Sequence, residues 1–136
     1  MLDLNKIGRI IKNILSVFAG IIIGSAVNIA LIISGGELFP LSNGMDPMNA
    51  EMWEIKYFIF PFLAHSIGTL AGAFITAKFS SSYHMIFSIS VGLFFLFGGI
   101  YMVSILPAPF WFICMDLLLA YIPMAWFGWK LSGKNV

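Results

Sequence analysis

Long apolar runs, broken by short polar stretches, dominate this chain from end to end. No acidic, basic or histidine side chain occurs from Ile14 to Ile33, and His65 is the only one from Phe58 to Ala77. Met85 to Pro109 again has none, and Asp116 stands alone between Pro109 and Trp129. The apolar positions are continuous, so the alternating ten-residue segments of a membrane β-barrel are excluded. Each run reaches the roughly 20 residues a helix needs to cross a hydrocarbon core of about 30 Å. The pattern predicts an all-α integral membrane protein: four transmembrane helices at 14–34, 57–78, 85–106 and 109–129, packed as an antiparallel bundle in a single domain over 1–136.

Links between the runs set the expected topology. KFSSSYH between the second and third helices and LPAPF between the third and fourth are short, so these helices are antiparallel neighbours. The link between the first two helices is longer. It holds Gly35-Gly36, Pro40 and Asn43-Gly44 as turn signals, then Asp46-Pro47 as the start of a short interfacial helix through Trp53. On that helix Met48, Met52 and Trp53 would lie on the lipid headgroups, with Glu51 and Glu54 in water. Met45, Met48 and Met52 share a helical phase, and thioether clusters can hold Cu(I). The plainer expectation is an apolar face of flexible side chains, with the metal unknown and no cofactor.

Composition strengthens this picture and closes others. Of 136 residues, 60% are hydrophobic and 10% charged, where a soluble domain carries about a quarter charged. Lys6, Arg9, Lys12, Lys78, Lys130 and Lys134 all fall on one side of a four-span chain, the side that the distribution of Lys and Arg marks as cytoplasmic. The expected location is a cell (inner) membrane, with both termini cytoplasmic and the long link on the other face. The first run, about 20 residues and followed by three more, reads as a mature helix, not a signal peptide. A net charge of +1 without a basic stripe argues against nucleic acid as a partner and leaves the lipid bilayer as the certain one. The lone Cys114 permits no intrachain disulfide, and soluble-enzyme motifs such as GxSxG are missing.

Helices in lipid associate through small residues that allow close approach. Gly20 and Gly24 with Asn28, Gly68 and Gly72 with Pro61, His65, Thr69 and Thr76, Gly92 and Gly99 with Ser88, and Asp116 with Ala120, Pro123 and Phe127 recur at spacings of three and four. These faces are expected seams. Pro123 is expected to bend the fourth helix and act as its hinge.

Depth ties the polar members together. Counted at about 1.5 Å per residue from the outer boundary, Asn28 lies roughly 9 Å deep, His65 roughly 12 Å and Asp116 roughly 10 Å. An ionisable group at such depth costs about 2.5–3.5 kcal/mol on insertion scales and marks a functional site by default. His65 and Asp116 are therefore expected to pair. The carboxylate would fix the imidazole tautomer and leave the second ring nitrogen for a proton, ligand or metal, with Asn28, Ser66 and Thr69 as further polar groups. Buried glue between two helices is the structural alternative, worth only about 0.6 kcal/mol per hydrogen bond in membranes.

Three functions compete on this basis. The first is a proton-, ion- or small-solute-handling transport module, built as a homo-oligomer because four helices leave little room inside one chain. The second is an accessory or assembly subunit of a larger membrane complex. The third is a membrane enzyme using His65 as base, which lacks a nucleophile and an oxyanion site and ranks last.

Overall fold

A computed structural model describes residues 3–136 as an all-α bundle. The helices are α1 (Leu4–Leu38), α2 (Ile59–Phe79), α3 (His84–Ile105), α4 (Phe110–Leu119) and α5 (Ile122–Leu131). Four helical segments are long and apolar enough to cross a membrane: Leu4–Leu38, Ile55–Phe79, His84–Ile105 and Phe110–Leu131. The fourth is made of α4 and α5 in succession.

Boundaries depart from the sequence expectation where packing or capping overrides it. α1 begins ten residues earlier than expected, at Leu4, behind Asp3, whose carboxylate accepts the Asn5 N–H. It also runs straight through Gly35-Gly36 instead of turning there, because Gly35 is buried against the Phe60 side chain. A left-handed Tyr83 (φ 51°) opens α3 directly after the short turn. The interfacial helix expected from Asp46 through Trp53 shrinks to one 3-10 turn, Ala50–Met52, capped by Asn49. Asp46 instead closes a local turn onto the Met48 N–H at 2.8 Å. The helical phase that would align Met45, Met48 and Met52 is thus not formed. Trp53, expected at the headgroups, folds inward against Phe58 with ring centroids 5.7 Å apart. Tyr57 is buried and shares a hydrogen bond of 2.9 Å with Ser42.

The interior is built of small residues and the exterior of large ones, the reverse of a soluble domain. The largest fully buried side chains are Val91, Thr69, Thr76 and Ser88, whereas Ile22, Phe97 and Leu118 are 66%, 68% and 70% exposed. Lipid is the solvent that such a surface requires, since tails are as apolar as leucine and close packing of small residues holds the helices together.

The α1–α2 seam shows this most clearly. Gly20 lies on Gly72 and Gly24 on Gly68, so close that a Cβ on Gly72 would sit 2.6 Å from the Gly20 oxygen and one on Gly24 2.7 Å from that of Gly68. The pairing runs antiparallel, and at the far end Asn13 of α1 receives the Ser81 N–H at 2.7 Å and donates to Ser82 at 3.1 Å. Gly92 and Gly99 of α3 accommodate Ala125 and the Tyr121 ring. All six seam glycines are therefore used inside the chain. Lys78 donates to the Ser132 carbonyl at 3.3 Å, which gathers the start of α1, the α2–α3 turn and the end of α5 at one end of the bundle.

Pro123 and the break in the fourth span go together. The break falls at Ala120-Tyr121, with Tyr121 at φ −114°, ψ −79°, and Pro123 in the first turn of α5. A proline ring collides with the carbonyl four residues earlier and lacks an N–H, so the helix must restart there. The restart changes which face is buried. Asp116 and Ala120 are buried as expected, but Phe127 is 48% exposed, and Ala125 and Gly128 take the inward positions instead.

Candidate functional site

His65 from the second turn of α2 meets Asp116 from α4. Its Nδ1 lies 2.8 Å from Oδ1 and 2.9 Å from Oδ2, one ring N–H shared between both carboxylate oxygens. With the carboxylate ionised and the imidazole neutral, Asp116 only accepts, which places the proton on Nδ1 and the lone pair on Nε2. Among the described residues Nε2 has no hydrogen-bond partner. The side chain of His65 is 25% exposed and that of Asp116 only 7%, so the imidazole is the face of the pair and the carboxylate stands behind it.

Tyr121 completes the arrangement. Its hydroxyl donates to Asp116 Oδ2 at 3.0 Å, and its ring stacks on His65 with centroids 5.7 Å apart and planes 27° from parallel. Two neighbouring donors thus satisfy one buried carboxylate, as a polar group at such depth requires. Sequence reasoning missed Tyr121 for a definite reason. Residues five apart on a continuous helix are about 140° apart around the axis, so Asp116 and Tyr121 should face different neighbours. Only the break before Pro123 turns Tyr121 back to the carboxylate. The signal was a tyrosine two residues before a proline in AYIPMAW, one turn after the only intramembrane acid.

The pair forms part of the wall of a partly open cavity of about 520 Å³ lined by a single chain. Asn28, Ile32, Gly35 and Gly36 of α1, His65 of α2, Gly99, Met102 and Val103 of α3, and Phe112 and Asp116 of α4 line it, with Phe39, Trp53 and Phe58 from the connection. Most of the wall is apolar, and many of the side chains are aromatic. Its end away from the pair is built by a cluster of Ala50, Phe58 and Phe112 with Trp53 packed on it, where the Phe58 and Phe112 rings approach to 4.5 Å. Lys56, also in the wall, is paired with Glu54 at 2.9 Å and lies over the Tyr57 ring.

Of the polar groups the sequence placed near the pair, Asn28 lines the same cavity and packs against Gly68. Ser66 and Thr69 are buried with hydroxyls that find no partner among the described residues, and they are not part of the cavity wall. They lie one residue and one turn below His65 on α2, toward the core of the bundle. His84, which reads as a solvated loop residue in sequence, starts α3 and is held by Ser80 at 2.7 Å. Cys114 is a partly buried free thiol. Among the described residues no group of three or more His, Cys, Asp or Glu comes together to hold a metal.

Comparison with family models, with curated proteins and with solved structures returns no match.

Proposed function

We propose that this four-span protein is a transport-type module that binds a small solute at His65 and moves a proton with it. The observation carrying this reading is that the one intramembrane His–Asp pair, joined at 2.8 Å, belongs to the wall of a cavity of about 520 Å³. Buried ionisable groups in lipid are costly and face a partner or a cavity, and here they do both. Asp116 and Tyr121 hold the imidazole in one tautomer, so Nε2 can take a proton from a bound solute and the carboxylate stabilises the imidazolium that results. The break between α4 and α5 is the element suited to move, since discontinuous helices mark binding sites in transporters.

The residues that carry this chemistry come from one chain, and Gly20, Gly24, Gly68, Gly72, Gly92 and Gly99 pack inside it. A homo-oligomer would associate through other faces of the helices. By the distribution of Lys and Arg, the end of the bundle carrying both termini faces the cytoplasm of a cell membrane, and the cavity lies in the opposite half.

A thermal-shift screen of small solutes on the protein in lipid nanodiscs, run on wild type and Asp116→Asn, tests the reading. Solutes that stabilise wild type, release or take up protons on binding and lose both effects in Asp116→Asn support it. If Asp116→Asn leaves every solute response unchanged and the protein co-purifies with a fixed membrane complex, the accessory-subunit reading replaces it.

A further inference from the structure

Resting on that reading of the cavity as a solute site, we propose that its ligand class is a neutral phenol-type amphiphile: an aromatic ring seated among the aromatic walls, with a hydroxyl that donates to His65 Nε2. Three observations select this class over a metal ion, an anion or a sugar-like solute.

Charge comes first. Among the described residues Asp116 is the only carboxylate in the cavity wall, and it is already engaged by both His65 and Tyr121. A metal ion would find a single nitrogen, because no third His, Cys, Asp or Glu joins the pair among the described residues. An anion would bring a second negative charge beside Asp116 in an apolar cavity, a like-charge pair that is unfavourable there. Lys56 does not offset it, since it is paired with Glu54 at 2.9 Å. A neutral ligand adds no charge to the cavity, and that is the class proposed.

Hydrogen-bond polarity comes second. With Nδ1–H pointed at the carboxylate, Nε2 is an acceptor, so the ligand must present a donor. A phenolic hydroxyl is more acidic than an aliphatic one and forms the stronger bond to a basic nitrogen backed by a carboxylate. The carboxylate behind the ring holds Nδ1–H and so keeps the Nε2 lone pair free for the ligand hydroxyl.

Shape comes third. A cavity of about 520 Å³ falls within the range of about 300–1,000 Å³ typical of small-molecule sites. Phe39, Trp53, Phe58, Phe60 and Phe112 contribute rings to its wall, and an aromatic ligand packed offset or edge-to-face on them gains stabilisation beyond the area it buries. Such walls offer almost no hydrogen bonds, which excludes a solute with many hydroxyls, because each would lose its water without replacement.

The experiment is equilibrium dialysis of the protein in nanodiscs against empty nanodiscs of the same lipid, so that partition into the bilayer is subtracted. The probes are 4-pentylphenol, its methyl ether 4-pentylanisole, and 4-pentylbenzoate. Wild type is expected to bind the phenol about tenfold tighter than the ether, the effect of one good hydrogen bond, with no excess for the benzoate. His65→Phe, which removes the acceptor and keeps a ring, brings the phenol down to the level of the ether while both still bind. Gly36→Trp, at a wall position where an added Cβ meets nothing within 4 Å, removes the excess of both. Should His65→Phe fail to fold, Asp116→Asn narrows the phenol–ether gap by weakening Nε2 as an acceptor. Equal binding of phenol and ether in wild type, or tighter binding of the benzoate, overturns the phenol class and leaves the solute site standing if Gly36→Trp still abolishes the excess. If no probe shows an excess sensitive to Gly36→Trp, the phenol class falls; if the thermal-shift screen also finds no solute dependent on Asp116, the solute-site reading falls with it.

Discussion

Adding one methyl group to Gly72 is expected to separate α1 from α2, and the size of the effect follows from the seam. A Cβ on Gly72 would lie 2.6 Å from the Gly20 oxygen, 3.3 Å from the Gly20 carbonyl carbon and 3.3 Å from a Val91 methyl. Ordinary van der Waals contact begins at about 3.5 Å, so the backbones must part by several tenths of an ångström. Both clashing partners on α1 are backbone atoms, and no flexible side chain can yield in their place. Overpacking a tight core costs about 1–3 kcal/mol, and this site belongs at the upper end. Alanine regains up to about 1 kcal/mol of helix propensity on the scale measured in water. The net expectation for Gly72→Ala is a loss of about 2 kcal/mol. Gly98→Ala is the control: it lies on α3 with nothing within 4 Å of an added Cβ, so only the propensity gain applies and stability stays level or rises slightly. Reversible unfolding in mixed micelles, followed by far-UV circular dichroism as the denaturing detergent fraction rises, compares the two. Equal destabilisation by both substitutions, or a neutral Gly72→Ala, would refute the claim that close backbone approach at this seam holds the bundle.

Tyr121→Phe removes one of the two donors to Asp116 and should lower stability by about 0.6–1.7 kcal/mol in the same assay, the span measured for hydrogen bonds inside membranes. A double-mutant cycle of Tyr121→Phe with His65→Ala should be non-additive, since both act on one carboxylate; simple additivity would show that the two donors are independent. Pro123→Ala permits a continuous fourth helix and should pull Tyr121 off Asp116; slowed amide exchange across Ala120–Met124, together with no further loss on adding Tyr121→Phe, is the expected result. Met102→Cys in a Cys114→Ala background places a thiol in the cavity wall. A membrane-impermeant maleimide should modify it from the side opposite the termini, and Gly36→Trp should slow that reaction; modification only from the side of the termini would reverse the orientation.

Much of the candidate site was legible because the membrane raises the contrast of the sequence. Two ionisable groups in four apolar runs are conspicuous, and counting residues from the ends of the runs placed His65 and Asp116 at about the same depth before any helix was rotated. The glycines were legible as seams for the same reason, since small residues at spacings of four have few other uses in a lipid-facing helix. Partner choice was not legible. Gly24 could have met any of three other helices, and its approach to Gly68 depends on the rotation of both. Trp53 was misplaced because its indole is as compatible with headgroups as with an aromatic cluster, and only the fold of the connection brings Phe58 and Phe112 within reach.

By itself the sequence determined the solvent, the number of crossings and the composition of the interior. Those depend on run lengths and residue sizes, which are local quantities read along one dimension. Tertiary structure alone decided that the fourth crossing breaks at Ala120-Tyr121, that the break turns Tyr121 toward Asp116, and that the pair belongs to a cavity inside one chain. The physical reason is rotational phase. A proline announces that a helix must restart, but the angle of the restart is set by what packs against the second half, here Gly92 against Ala125 and Gly128 against the backbone of Leu70 and Phe74.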